Sequence, residues 1–243
     1  DGDRLGFPVF AMDWNDPKTG EIFKGFKELG FLPEAFLNLL AMLGWNPGTE
    51  QEIMTLEEMI AAFSMERVHK AGAKFDFEKA KWYNHEWIKK IAAKELSAPV
   101  ANILSARGII ISDVDYLQRV IDLVKDRCTL MTDFYEQASY FFTSPQTWDT
   151  EAVKPKWNEL KSNFFLEFIK KISSAASFDS NSAETDFKEL AAEKNIKPGE
   201  LQLPFRIMLV GGKFGPAVFE IAAMIGKEET INRIHDALVA FKS

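Results

Sequence analysis

The chain has 243 residues, 47% hydrophobic, 27% charged and 13% aromatic, enough to bury one large core or two smaller ones without staples. A formal net charge of −7 and a pI near 5.2 speak against a nonspecific nucleic-acid binder, which is basic overall, yet leave room for a specific one whose cations are local. Its one cysteine, Cys128, excludes an intramolecular disulfide, and no apolar run is long enough for a bilayer span or a signal peptide, so the expected location is the cytoplasm.

Phe7–Met12 is the one strand candidate. Pro33 sits at a first-turn position and opens a helix through Leu43, with Phe36, Leu39, Leu40 and Leu43 as its apolar stripe and Gly44 as a left-handed cap. Thr55-Leu56-Glu57-Glu58 is a capping box that starts a short helix ending at Ala62. Asp76 precedes a long helical pattern, Phe77–Leu96, which Pro99 closes or bends. Ser112 or Asp113 caps a helix to Lys125 whose stripe is Leu117, Val120, Ile121 and Val124. Further helices are expected over Leu130–Phe142, Glu151–Ser162, Phe164–Ser173, Ala183–Lys194, Gly199–Val210, Ala217–Ile225 and Glu228–Phe241, with Asn46–Thr49 and Asp179–Ser182 as loops. Trp45, Trp82 and the run Phe134, Tyr135, Tyr140, Phe141 and Phe142 are assigned to the core. The fold class is therefore mainly α.

No residue set for catalysis emerges. Gly211-Gly212-Lys213-Phe214-Gly215 lacks the spacing of a phosphate loop and reads as a helix–helix turn. His69, His85 and His235 are scattered, without metal-ligand spacing, and Cys128 reads as a small apolar residue. Glu57-Glu58 and Glu228-Glu229 sit at helix starts, where the dipole favours them.

Two stretches carry a resemblance. Gly30-Phe31-Leu32-Pro33-Glu34-Ala35-Phe36-Leu37-Asn38-Leu39-Leu40, then Leu43-Gly44-Trp45, resembles the segment that follows the KMSKS-type loop in bacterial glutamyl-tRNA synthetases. The order continues through Thr55–Ile60, Phe63, Glu66-Arg67-Val68, Phe75-Asp76, Glu78-Lys79 and Trp82-Tyr83-Asn84, with Ala80 in place of the usual Leu and His85 in place of Gly. Asp1–Arg4 resembles the residues just after that loop, and Phe7–Phe23 is longer than in compact members. Asp122–Arg127, Leu203-Pro204-Phe205-Arg206, Gly215-Pro216, Val218–Ile221 and Gly226-Lys227-Glu228 resemble the family's anticodon-proximal and C-terminal helices.

The resemblance implies a stem-contact helical domain at 1–97 and an all-helical anticodon-binding domain at 98–243, with a possible subdivision into 98–143 and 144–243. It implies a partner, glutamate-accepting transfer RNA, read through its inner bend and anticodon, and a missing N-terminal catalytic domain of the same chain; Asp1 in place of Met fits a fragment. The parent is expected to be a class I ligase joining glutamate to tRNA with ATP and Mg. The fragment is expected to be monomeric, inactive alone, off the membrane, and without cofactor, metal or catalytic residue of its own. Arg127 and Arg206 match family positions near anticodon bases, where a guanidinium fork bonds a base edge in two places, and Val218 matches an apolar position there. The competing explanation for both arginines is structural. Lys79, Lys81, Lys89 and Lys90 are candidates for the inner bend, against a solvated helix face. Glutaminyl-tRNA synthetases, whose known bacterial members read anticodons with β-barrels, fit poorly with so few strand signals. A helical protein–protein scaffold is the alternative from another functional class.

Overall fold

In this computed structural model residues 7–69, 72 and 74–241 are described; the expectation for Asp1–Arg4 lies outside them. Helices dominate, and the chain forms two compact units that divide between Tyr135 and Glu136.

The first unit opens on a minimal antiparallel pair, β1 (Trp14–Asn15) and β2 (Ile22–Phe23), with Trp14 opposite Phe23. The expected strand over Phe7–Met12 does not form. That segment instead hands the Phe10 and Ala11 carbonyls to the amides of Phe26 and Lys27 as α1 (Phe26–Leu29) begins. Gly30 follows with φ of 99°, and an added Cβ would stand 2.8 Å from the Thr132 amide nitrogen, so glycine is required on both counts.

Pro33 does open α2 (Pro33–Gly44), but Gly44 is its last helical residue and not a left-handed cap; the chain leaves through Trp45 in extended conformation. The stripe also differs from expectation. Leu40 faces outward, and the buried positions are Ala35, Asn38 and Leu39. Asn38 is fully buried because its amide finds three partners on two segments: Nδ2 donates to the Glu52 carbonyl at 3.0 Å, while Oδ1 accepts from the Met54 amide at 3.0 Å and Trp87 Nε1 at 3.2 Å. The capping box holds α3 (Leu56–Ala62) as expected.

Asp76 caps α4 (Phe77–Lys90). The helical pattern then breaks at Ile91-Ala92, and α5 (Ala93–Ser105) contains Pro99 instead of ending at it. Lys125 Nζ donates to the Ile91 carbonyl at 3.3 Å, satisfying a group the helix end orphans. Inside α5 the proline forfeits one backbone bond, tolerated while Leu96, Val100 and Leu104 anchor the buried face. Asp113, not Ser112, caps α6 (Val114–Val124), whose four expected core residues are all buried. A 3-10 turn, Lys125–Arg127, extends it and packs on α4 and α6. The unit's aromatic core gathers Phe26, Phe31, Leu39, Ala80 and Tyr83. Trp45 is core as expected, but Trp82 is 40% exposed on α4.

α7 (Asp133–Ala138) spans the division, and α8 (Thr150–Val153) follows. The expected break before Phe164 falls earlier: Asn158 accepts from the Lys161 amide at 3.0 Å and starts one continuous helix, α9 (Glu159–Ser174). Asp179–Ser182 is a helix start and not a loop, since Asp179 and Ser182 form a reciprocal cap on α10 (Ser180–Glu193). α11 (Pro198–Val210), α12 (Val218–Ile225) and α13 (Lys227–Ala240) complete the second unit. Phe164, Phe165, Phe168, Phe187, Phe205 and Phe219 form its ring-on-ring core. Arg233 is buried with its charge answered by Glu229 and Nη1 donating to the Leu209 carbonyl at 2.6 Å.

Candidate nucleic-acid interface

The turn between α11 and α12 is where sequence and geometry converge. Gly211 takes φ of 82° and ends α11; Gly215 takes φ of 99° with an added Cβ 2.8 Å from the Tyr140 hydroxyl. Arg206 projects from α11 across this turn. Its Nη1 donates toward the carbonyls of Phe214 at 3.1 Å, Gly215 at 3.1 Å and Pro216 at 2.5 Å. The guanidinium therefore holds the turn that delivers α12, and the structural explanation for this arginine has direct support.

The same side chain also borders a cleft of 570 Å³. Ser180 and Glu184 reach it from the start of α10, Gln202, Leu203 and Arg206 from α11, and Val218 from the first turn of α12. Arg206 and Val218 are thus brought together. The starts of α10, α11 and α12 border the cleft, but the first amides of α10 are already taken by the Asp179 carboxylate, and Glu184 and Glu220 bring negative charge, so the free N–H groups are those of α11 and α12. Leu203 adds apolar surface, while Val218 is buried, 4% exposed, and serves mainly as packing beneath the cleft; exposed Gln202 carries both a donor and an acceptor. Such a mixture suits a flat heteroaromatic ring with a polar edge, or a phosphate at its rim. Gln202 was missed in the sequence although it lies one helical turn before Arg206; Ser180 was hidden by reading its segment as a loop.

Arg127 belongs to the first unit. It ends the 3-10 turn, is exposed, and makes no hydrogen bond or ion pair with any described residue. The next residue, Cys128, is fully buried, and burial pushes its thiol up to about 12, leaving it inert. Its carbonyl pairs with His85 Nδ1 at 2.9 Å, which fixes the turn against α4.

The four lysines of α4 do not form one patch. Lys79 and Lys90 lie 11 residues apart, about three turns, on one side; Lys81 is turned about 160° from Lys79, and Lys89 lies between the two directions. Each has a local companion: Lys79 pairs with Glu52 at 3.1 Å, Lys81 with Glu78 at 2.9 Å and Lys89 with Glu86 at 2.8 Å, while Lys90 lies over the Trp87 ring. The hydrogen bond to Glu86 holds Lys89 above its ordinary pKa, with the charge of Asp126 contributing. Lys81, exposed Trp82 and His85 border a second cleft, of 520 Å³, with Thr129 and Asp133.

Residues 77–238 match the family model described as the anticodon binding domain. The chain belongs to the anticodon-binding domain family. Residues 19–82 match a second model, the catalytic domain of class I tRNA synthetases (E and Q). The chain is 42% identical over 242 residues to the glutamate–tRNA ligase of Phocaeicola vulgatus, spanning 100% of itself and 48% of that protein. It is 43% identical over 239 residues to the ligase of Flavobacterium psychrophilum, at 98% and 47%. A crystal structure of a glutamate tRNA ligase from Elizabethkingia meningosepticum, in complex with its amino acid, superposes with a TM-score of 0.91 at 37% identity, covering 99% of this chain and 48% of that one. The chain spans about half the length of the curated relatives it matches. It corresponds to the C-terminal portion of bacterial glutamate–tRNA ligases: the tail of the class I catalytic domain, then the anticodon-binding domain. No described helix is long and apolar enough to cross a membrane.

Proposed function

We propose that the anticodon-binding chain recognises transfer RNA, the glutamate-accepting species, as part of a ligase that joins glutamate to that tRNA with ATP and Mg. The observation that carries this reading is the match of the anticodon-binding family model to residues 77–238. Within that span, Arg206 and Val218 share a cleft with helix N-termini, and Arg127 presents a guanidinium without a competing partner among the described residues. Residues to 97 are assigned to the stem and inner bend, with Lys79, Lys81, Lys89 and Lys90 as phosphate contacts, and 98–243 to the anticodon.

The lysines' carboxylate partners are exposed or partly exposed, and surface ion pairs of this kind are worth about 0–1 kcal/mol, so an RNA phosphate can displace them. The test is titration with an unmodified glutamate-tRNA transcript and an anticodon-swapped control over a range of salt. A phosphate-contacting surface loses affinity linearly in log salt with a slope of about −0.7 to −0.9 per contact. Specific binding with such a slope is expected. Equal affinity for both transcripts, or none for either, refutes the reading.

A further inference from the structure

α2 and α3 meet over an open groove of 390 Å³ that contains no charged side chain. Trp45 and Met59, both buried, form its floor. Its walls are left in solvent: Leu37 is 41%, Leu56 48%, Phe63 54% and Ile60 67% exposed. The capping box at Thr55 and Glu58 holds the start of α3, and Met59 is buried on one face while Ile60, the next residue, is exposed in a formed helix. Leu40, about 60° around α2 from Leu37 on the flank of the groove, is exposed as well, which is why the expected stripe failed there. Self-contained domains rarely leave a contiguous apolar surface of this kind open to water; such surfaces mark contacts with another body.

We propose that the groove is the seat of the rest of the class I catalytic domain, the part of the ligase that precedes this chain's match. Every lining residue, from Leu37 to Val68, falls within residues 19–82, the segment matched by the catalytic-domain family model. The relatives are about twice as long as this chain, so the bulk of that domain lies outside it. A single domain's core divided between two pieces leaves each piece with an apolar face, and the groove is this piece's face. Its chemistry points the same way. An RNA strand brings its phosphate backbone with it, and a groove without a cation leaves that charge unmet, which makes RNA the poorer occupant even where a base can stack on the apolar wall. The occupant is therefore an apolar protein surface. This assignment rests on the catalytic-domain match and stands apart from the tRNA reading.

The experiment compares the chain alone with a chimera in which the unmatched N-terminal part of the Phocaeicola vulgatus ligase is restored ahead of it. Amide hydrogen exchange is read over residues 56–68, with α6 as an internal control for folding. The expected result is at least about tenfold slower exchange over 56–68 in the chimera, with α6 unchanged. Ile60→Glu is expected to leave the melting temperature of the chain alone unaltered, and Phe63→Ser, which removes a ring 5.9 Å from that of Trp45, to lower it slightly; both are expected to remove that protection in the chimera. Unchanged exchange over 56–68 on restoring the missing part overturns the proposal. So does a concentration-dependent dimer of the chain alone that Ile60→Glu dissociates, which assigns the groove to a second copy. A tenfold loss of tRNA affinity by either variant of the chain alone assigns it to RNA and overturns the proposal while leaving the tRNA reading intact.

Discussion

Arg206→Ala is expected to act on the fold of the second unit before it acts on any ligand. One nitrogen, Nη1, is shared among three carbonyls, those of Phe214, Gly215 and Pro216. Its two protons amount to at most two full charge-assisted bonds, each worth about 1.5–3 kcal/mol net. Gly215 and Pro216 are buried residues, so water does not fully replace the lost donor, but Arg206 itself is half-buried and its own hydration is regained in part. The expected cost is about 2–4 kcal/mol. For a unit of roughly one hundred residues, about 4 °C per kcal/mol gives a fall of about 8–16 °C in its melting transition. Arg206→Lys restores a single point donor and recovers a fraction of the loss. The assay is thermal unfolding by far-ultraviolet circular dichroism of wild type and both variants, with tRNA titration run well below the lowest transition. A melting temperature for Arg206→Ala within about 2 °C of wild type, less than the change from 1 kcal/mol, refutes the clamp.

Arg127→Ala is expected to show the opposite profile: an unchanged melting temperature and about 1–3 kcal/mol weaker binding of glutamate tRNA with narrowed discrimination against the anticodon-swapped transcript, read by titration at one salt concentration. Cys128 is expected to resist iodoacetamide at pH 8 in the folded chain and to react on denaturation, because its thiol is pushed up to about 12; mass spectrometry before and after urea checks this. Asp179 is held below its ordinary value of 3.8, chiefly by the Ser182 amide bonded to its carboxylate. Its folded pKa is the lower one, so its contribution is complete above 3.8 and vanishes as pH falls through the folded value. The difference in melting temperature between wild type and Asp179→Asn is therefore expected to shift with pH in acid and to be constant above about pH 5.

Local chemistry was legible in the sequence, and long-range partnership was not. Thr55 with Glu58, Asp76, Asp113 and Pro33 declare their helix starts because each cap needs only neighbours within about one turn. The carbonyl freed at the Ile91 break is met by Lys125, 34 residues later, and no local pattern announces that partner. Asn38 disturbs an otherwise apolar face because its partners arrive from Glu52, Met54 and Trp87. Leu40 looks like core in a string of letters, since periodicity tells which residues share a face and not what covers it. In the candidate site, the family resemblance pointed to Arg206 and Val218, but the loop fold that ties Arg206 to Phe214, Gly215 and Pro216 follows from two positive-φ glycines whose joint effect is three-dimensional.

The buried amide of Asn84 has a practical consequence for dissecting the protein. Its Oδ1 accepts from the Leu32 amide at 2.7 Å and its Nδ2 donates to the Thr129 carbonyl at 2.6 Å, while the Met131 amide reaches the Gly30 carbonyl at 2.8 Å and Thr132 Oγ1 the Leu29 carbonyl at 3.0 Å. Residues 129–132 thus act as the keystone of a wall laid a hundred positions earlier. A truncation after residue 97 strips Asn84 of a partner in a dry interior and removes Leu130 from beside the aromatic cluster. Anyone seeking the smallest folded piece of the first unit should retain the chain through Asp133, whose carboxylate ties down the amides of Thr129 and Leu130.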